Sequence, residues 1–217
     1  MLKGAIFDMD GTLFDTEKLY WQAWLEAAEN FGEEKNPKLP AAVSGTSLDG
    51  YTQQIVKKFY PNIDAEAYIA CVLEKARAFN EENLELMAGV EDILNFFKAS
   101  GVKMAVASSA PVEVIEKNLL RTNLRGYFDV LVGGDKVSNG KPAPDIFLLA
   151  AKELNLEPSD CYIFEDSFNG IRAANSAGGF AIMIPDTIQP TEEIKNLCSA
   201  IYPSLIEARR AIKEGRL

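Results

Sequence analysis

A chain of 217 residues, 47% hydrophobic and 25% charged, is long enough to bury a sizeable core in one or two domains, which excludes a disordered or fibrous protein. Its 22 Lys and Arg against 32 Asp and Glu leave a formal charge of −10, so no nucleic-acid partner is expected, and no local basic patch offsets that balance. The absence of any His excludes a Ser-His-Asp triad, a Cys-His pair and a His-ligated zinc site, and proton transfer has to use other groups.

Short, β-rich apolar runs occur at 5–7, 104–107, 130–132, 162–164 and 181–184, separated by stretches of helical periodicity. That alternation predicts an α/β fold, a doubly wound parallel sheet with helices on both faces. The first interval is anomalous, because roughly ninety residues separate the first two runs, where a βαβ crossover needs about 30. It reads as helices only. Leu19, Ala23, Ala27 and Phe31 precede Gly32; Tyr51, Ile55 and Phe59 precede Pro61; Ile69, Val72, Leu73, Ala76 and Phe79 follow Asp64 as N-cap. We therefore expect an inserted small helical domain over 16–83, and an α/β core made of 1–15 and 84–217, with the crossings near Phe14-Asp15 and Glu82-Asn83 acting as a hinge. Further on, Val90, Ile93, Leu94 and Phe97 form one stripe ended by Gly101, and Pro111 opens another through Ile115 and Leu119.

Cys71, Cys161 and Cys198 are odd in number, far apart and never in a CxxC, which points to core thiols in a reducing compartment. The amino terminus lacks a basic segment followed by an apolar one, and no apolar run approaches the ~18 residues of a membrane span. The expectation is a cytoplasmic protein without a membrane partner.

The polar residues after the strands carry the chemistry. Asp8 and Asp10 follow the first run, Ser108 and Ser109 the second, and Glu165 and Asp166 the fourth. In an open parallel sheet ligands sit beyond the carboxyl ends of the strands, so neighbouring strands bring these groups to one crevice. Four carboxylates in one pocket resist joint ionisation and imply a cation. Oxygen ligands without thiolate or imidazole select a hard ion, and few protein ligands favour Mg²⁺ over a Ca²⁺ cage. The Asp8-Met9-Asp10-Gly11 stretch is no EF-hand loop, since Leu19 stands at the twelfth position. Lys141 lies on a loop stiffened by Pro142 and Pro144; with Asp135 at the first Gly position and Pro142 after the Lys, it is not a P-loop. Neither GxGxxG nor GxSxG occurs. A cation, a Lys, a hydroxyl and a carboxylate pair supply what phosphoryl transfer to an enzyme aspartate needs.

Asp8-Met9-Asp10-Gly11-Thr12, Ser108, Lys141 and Glu165-Asp166, in that order, resemble the four motifs of the haloacid dehalogenase (HAD) superfamily. The insertion after the first motif resembles the small helical cap of the branch containing β-phosphoglucomutase and related sugar-phosphate and nucleotide phosphatases. The resemblance implies a HAD-like Rossmannoid core with Asp8 as nucleophile and Asp10 as the acid and base. It implies Ser108 and Lys141 as holders of the phosphoryl group, and Mg²⁺ bound by Asp8, the Asp10 carbonyl, Asp166 and Glu165. Ser109 is a further candidate phosphate contact, and Tyr20 and Lys75 are candidate substrate contacts on the cap, whereas Trp21 and Trp24 read as core.

Asp10 argues for phosphate chemistry, because dehalogenation needs no proton for its leaving group. Tyr20 and Leu48 stand where the β-phosphoglucomutase pattern has a His and a sugar-phosphate-binding Arg, so water is the expected acceptor. The reading is a Mg²⁺-dependent phosphatase acting on a small phosphorylated metabolite, a sugar or nucleoside phosphate, through an aspartyl-phosphate. The alternatives are a phosphosugar mutase and a non-catalytic phospho-acceptor module; the latter leaves the large insertion without a purpose.

Overall fold

The computed structural model describes residues 1–43, 50–186 and 189–217. One sheet contains β1 (Gly4–Phe7), β2 (Lys103–Ser108), β3 (Val130–Gly133), β4 (Cys161–Glu165), β5 (Phe180–Met183) and β6 (Ala200–Ile201). All pairings are parallel and the strand order is β3-β2-β1-β4-β5-β6. The helices, in chain order, are α1 (Thr16–Asn30), α2 (Lys38–Val43), α3 (Gly50–Phe59), α4 (Ala65–Glu82), α5 (Val90–Ala99), α6 (Val112–Arg121), α7 (Asp145–Glu153), α8 (Phe168–Ser176), α9 (Glu192–Leu197) and α10 (Leu205–Lys213). Among the described residues no helix is long and apolar enough to cross a membrane.

Strand periodicity builds two layers of core. Ile6, Ala105, Ala107, Ile163 and Met183 pack with Phe147 of α7, Ile171 of α8 and Ile194 of α9. Their neighbours point to the opposite face, as a period of two demands. There Phe7 stacks on Phe164 at 4.7 Å between ring centroids and meets Phe97 of α5 and Phe128 edge-on. Full burial of each such ring contributes about 1.5–3 kcal/mol, so the doubly buried strands explain the near-continuous apolar runs.

The chain divides into two compact units, Met1–Phe14 with Leu86–Leu217, and Asp15–Glu85. The smaller unit is helical, and its own core contains Trp24, Val56, Tyr68 and Val72. The buried Tyr68 hydroxyl donates to the Trp24 carbonyl at 2.6 Å. Asp64 caps α4 by accepting from Glu66 N and Ala67 N, as its position in the sequence suggests. The smaller unit is closed on itself where the chain enters and leaves, by Asp15 N donating to Glu85 O at 3.0 Å. Cys161 is buried in the sheet core; Cys71 and Cys198 are half-buried, and all three are free thiols.

Candidate active site

The sheet order places β1 between β2 and β4, so the connections leaving β1's neighbourhood run in opposite directions and open a crevice at its carboxyl end. Register then fixes the chemistry. Phe7 lies opposite Val106 on one side and Phe164 on the other, which brings Asp8 level with Ala107 and Glu165. Asp8 N continues the ladder by donating to Phe164 O at 3.0 Å.

Lys141 reaches this point from the loop before α7. Its ammonium donates to Asp8 Oδ1 at 2.5 Å, to Glu165 Oε1 at 2.6 Å and to the Ala107 carbonyl at 3.3 Å, which uses all three of its protons. It also lies over the Phe147 ring, 5.0 Å from the centroid. Asn139 Nδ2 donates to Asp145 Oδ1 at 2.9 Å and ties the loop to the start of α7. The side chains of Asp8, Glu165 and Lys141 are only 10%, 1% and 7% exposed. Burial pushes the Asp8 carboxyl up to about 7 against the pull of the Lys141 charge, and Glu165 and Asp10 add repulsion. For Lys141 burial opposes the charged form, but the Asp8 and Glu165 carboxylates outweigh it and hold the ammonium above its ordinary range.

The turn after β1 brings in the fourth acid. Gly11 has φ +75°, and a Cβ there would lie 2.4 Å from Asp166 Oδ2, so only glycine lets the Asp166 carboxylate rest against this backbone. The fully buried Thr12 donates from Oγ1 to Asp166 Oδ1 at 3.3 Å. Asp166 is thereby fixed beside the Asp10-Gly11 peptide.

Ser108, at the end of β2, is 1% exposed and accepts from Ala110 N at 3.1 Å, which leaves its own proton to donate elsewhere. Ser109, next along, is exposed. The segment after β3 clamps this turn: Asp135 Oδ1 accepts from Val112 N at 2.9 Å and Gly134 N donates to Ala110 O at 3.0 Å. That hydrogen bond from Val112, the first residue of α6, holds the Asp135 carboxyl below its usual value. Asp135 therefore positions the turn bearing Ser108 and Ser109.

Glu165 differs in placement from Asp8, Asp10 and Asp166. Its Oε1 faces Lys141, while Oε2 accepts from Ser167 N at 2.8 Å and Ser167 Oγ at 2.9 Å. Among the described residues no group of three or more acidic or thiol side chains is drawn together as a preformed metal cage. The donors nevertheless suit Mg²⁺: one ammonium faces Asp8 and Glu165 while Asp10 also presses on Asp8, so the site carries surplus negative charge on oxygen. Mg²⁺ uses one or two carboxylates and completes its shell with water and phosphate oxygens.

On the helical unit, Tyr20 is 37% exposed, and Lys75 is half-buried with its charge acting on Glu29 near the end of α1. Trp24 is in the core and Trp21 is half-buried. Leu48 and the side chain of Tyr51 lie outside the described residues. Thr12, Ser167 and Gly170 belong to the site's geometry without having been singled out for a role in the sequence. Thr12 had one available signal, its place directly after the Asp-Gly turn.

A sequence model of the family described as haloacid dehalogenase-like hydrolase matches residues 5–184. The chain is 37% identical over 177 residues to a phosphorylated carbohydrates phosphatase of Thermotoga maritima, covering 82% of each protein. It is 33% identical over 179 residues to the fructose-1-phosphate phosphatase YqaB of Escherichia coli, covering 82% of this chain and 94% of that one. A Thermotoga maritima crystal structure, described as that of a putative β-phosphoglucomutase, superposes with a TM-score of 0.83 at 32% identity, over 98% of this chain and 99% of that one. With its carboxyl-end cluster, its sheet order and these likenesses, the chain belongs to the haloacid dehalogenase-like hydrolases.

Proposed function

We propose that the protein is a Mg²⁺-dependent phosphatase that hydrolyses a small phosphomonoester through an aspartyl-phosphate on Asp8. One observation carries the reading: Lys141 holds Asp8 Oδ1 at 2.5 Å in a buried crevice, with Asp10 two residues on and Ser108 at the end of the adjacent strand. The names of the two phosphatase relatives support the reaction class and a sugar phosphate as substrate.

In this reading the Asp8 carboxylate attacks phosphorus, the bond from phosphorus to the ester oxygen breaks, and the Asp10 carboxyl gives its proton to the departing alcohol. Asp10, now a carboxylate, takes a proton from the water that attacks the aspartyl-phosphate, releasing inorganic phosphate and freeing Asp8. Ser108 donates its hydroxyl proton to a phosphoryl oxygen, with Ser109 as a second contact. Lys141 balances the charge on Asp8 and fixes its orientation. Asp8, the Asp10 carbonyl and Asp166 would hold Mg²⁺, which when bound neutralises the charge of the transferring phosphoryl group. Glu165, with both oxygens occupied, acts through Lys141. Tyr20 and Lys75 are the substrate contacts of the helical unit in this reading, and a cytoplasmic setting matches phosphorylated metabolites as substrates.

The test is a panel of sugar and nucleoside monophosphates, scored by phosphate released. Release with Mg²⁺ that stops on chelation and returns on adding the metal is the expected outcome; no release from any member, or release indifferent to chelation, contradicts it. A phosphosugar mutase is the second reading, suggested by the description of the Thermotoga structure. It predicts isomerised sugar phosphate and dependence on a bisphosphate, where the phosphatase yields free sugar.

A further inference from the structure

We propose that Ser167 is a positioning residue: its hydroxyl, above the bare α-carbon of Gly170, seats Glu165 so that Glu165 holds Lys141 against Asp8. The link to turnover rests on the phosphatase reading; the seat itself does not.

Glu165 is 1% exposed and its carboxylate has two ends with different tasks. Oε1 receives Lys141 at 2.6 Å, and Oε2 receives the backbone and hydroxyl of Ser167 at 2.8 and 2.9 Å. The Ser167 hydroxyl has one proton and spends it on Glu165, while its lone pair accepts from Gly170 N at 3.0 Å as the N-cap of α8. The same atom thus starts the helix and orients the acid. Gly170 leaves the space: a Cβ there would lie 1.7 Å from Glu165 Oε1 and 1.8 Å from its Cδ. No rotamer of alanine avoids that, because Cβ is fixed by the backbone. The chain of contacts therefore runs Ser167 to Glu165 to Lys141 to Asp8, each within hydrogen-bond range.

Helix capping and positioning separate by choice of variant. Glycine caps almost as well as serine, alanine does not, and threonine keeps both cap and donor. If Ser167 only capped α8, Ser167→Gly would behave as wild type and Ser167→Ala would be impaired. Positioning predicts instead that Ser167→Gly and Ser167→Ala both lose about tenfold in kcat, the worth of one hydrogen bond to a charged group. KM stays within about twofold and Ser167→Thr restores the rate. Gly170→Ala, which in an ordinary helix interior favours folding, is expected to lower kcat at least as far.

An activity-independent arm reads the Lys141 ammonium directly, by ¹⁵N NMR of its Nζ protons in the full chain, assigned through Lys141→Arg. A protected signal in wild type and Ser167→Thr that broadens away in Ser167→Gly and Gly170→Ala, together with the kcat loss, supports the proposal. A persisting signal in Ser167→Gly overturns the seat; a lost signal with wild-type kcat overturns its role in turnover. Should wild type release no phosphate, the phosphatase reading fails and the ammonium signal alone decides the seat.

Discussion

Replacing Asp8 with Asn is expected to reduce phosphate release by roughly 10⁴- to 10⁶-fold, the loss typical of removing a nucleophile. The amide keeps the shape of the side chain but cannot form the acyl-phosphate. The same change is expected to leave the fold intact and to raise the melting temperature of the metal-free protein at pH 8. Burial first, then repulsion from Glu165 and Asp10, raises the folded Asp8 carboxyl to about 7. A raised carboxyl favours the fold below its unfolded value, and that contribution is lost as pH climbs through about 7. At pH 8 ionised Asp8 therefore costs stability, and Asn removes the cost. Thermal melts in chelator check this: a lower melting temperature for Asp8→Asn than for wild type at pH 8 contradicts the electrostatic account.

Lys141→Met is expected to cost about 3–5 kcal/mol of stability at pH 8 without metal, the penalty for leaving buried charges unpaired. The ammonium lies between Asp8 and Glu165, both buried, and no other cation is described beside them. Lys141 itself is held above its ordinary value, so it stays charged throughout the neutral and acid range, and the pH dependence comes from Asp8, whose carboxyl is raised to about 7 by burial. As pH falls, Asp8 of the variant protonates and the deficit shrinks. Denaturant melts at pH 8 and pH 5 measure it; a deficit equal at both, or larger at pH 5, contradicts the assignment of the cost to unpaired carboxylates.

The α/β class and the strand-end acids were legible in the sequence because both follow from one rule. Strands buried on two faces read as short apolar runs, and ligands collect where those runs stop. β6 was not legible: Ala200–Ile201 is two residues at the sheet edge, too short to show a period. α2 was hidden by its length and by Pro40 in its first turn, where proline is tolerated. Within the site, the adjacent acids Glu165 and Asp166 look equivalent as letters. The end of β4 parts them, sending Glu165 to Lys141 and Ser167, and Asp166 to Gly11 and Thr12. Hydroxyls such as Ser167 pass for ordinary caps, since the proton they donate goes to a partner that only folding reveals.

In the phosphatase reading Asp8 accepts the phosphoryl group. Acid-quenched protein, sampled during turnover of an active phosphomonoester with Mg²⁺, should carry the mass of one phosphoryl group on the peptide containing Asp8, and hydroxylamine should remove it. Asp8→Asn should carry none, because its amide cannot form the acyl-phosphate. Phosphoryl mass on another residue, or none on the unsubstituted protein while phosphate is being released, would contradict the account.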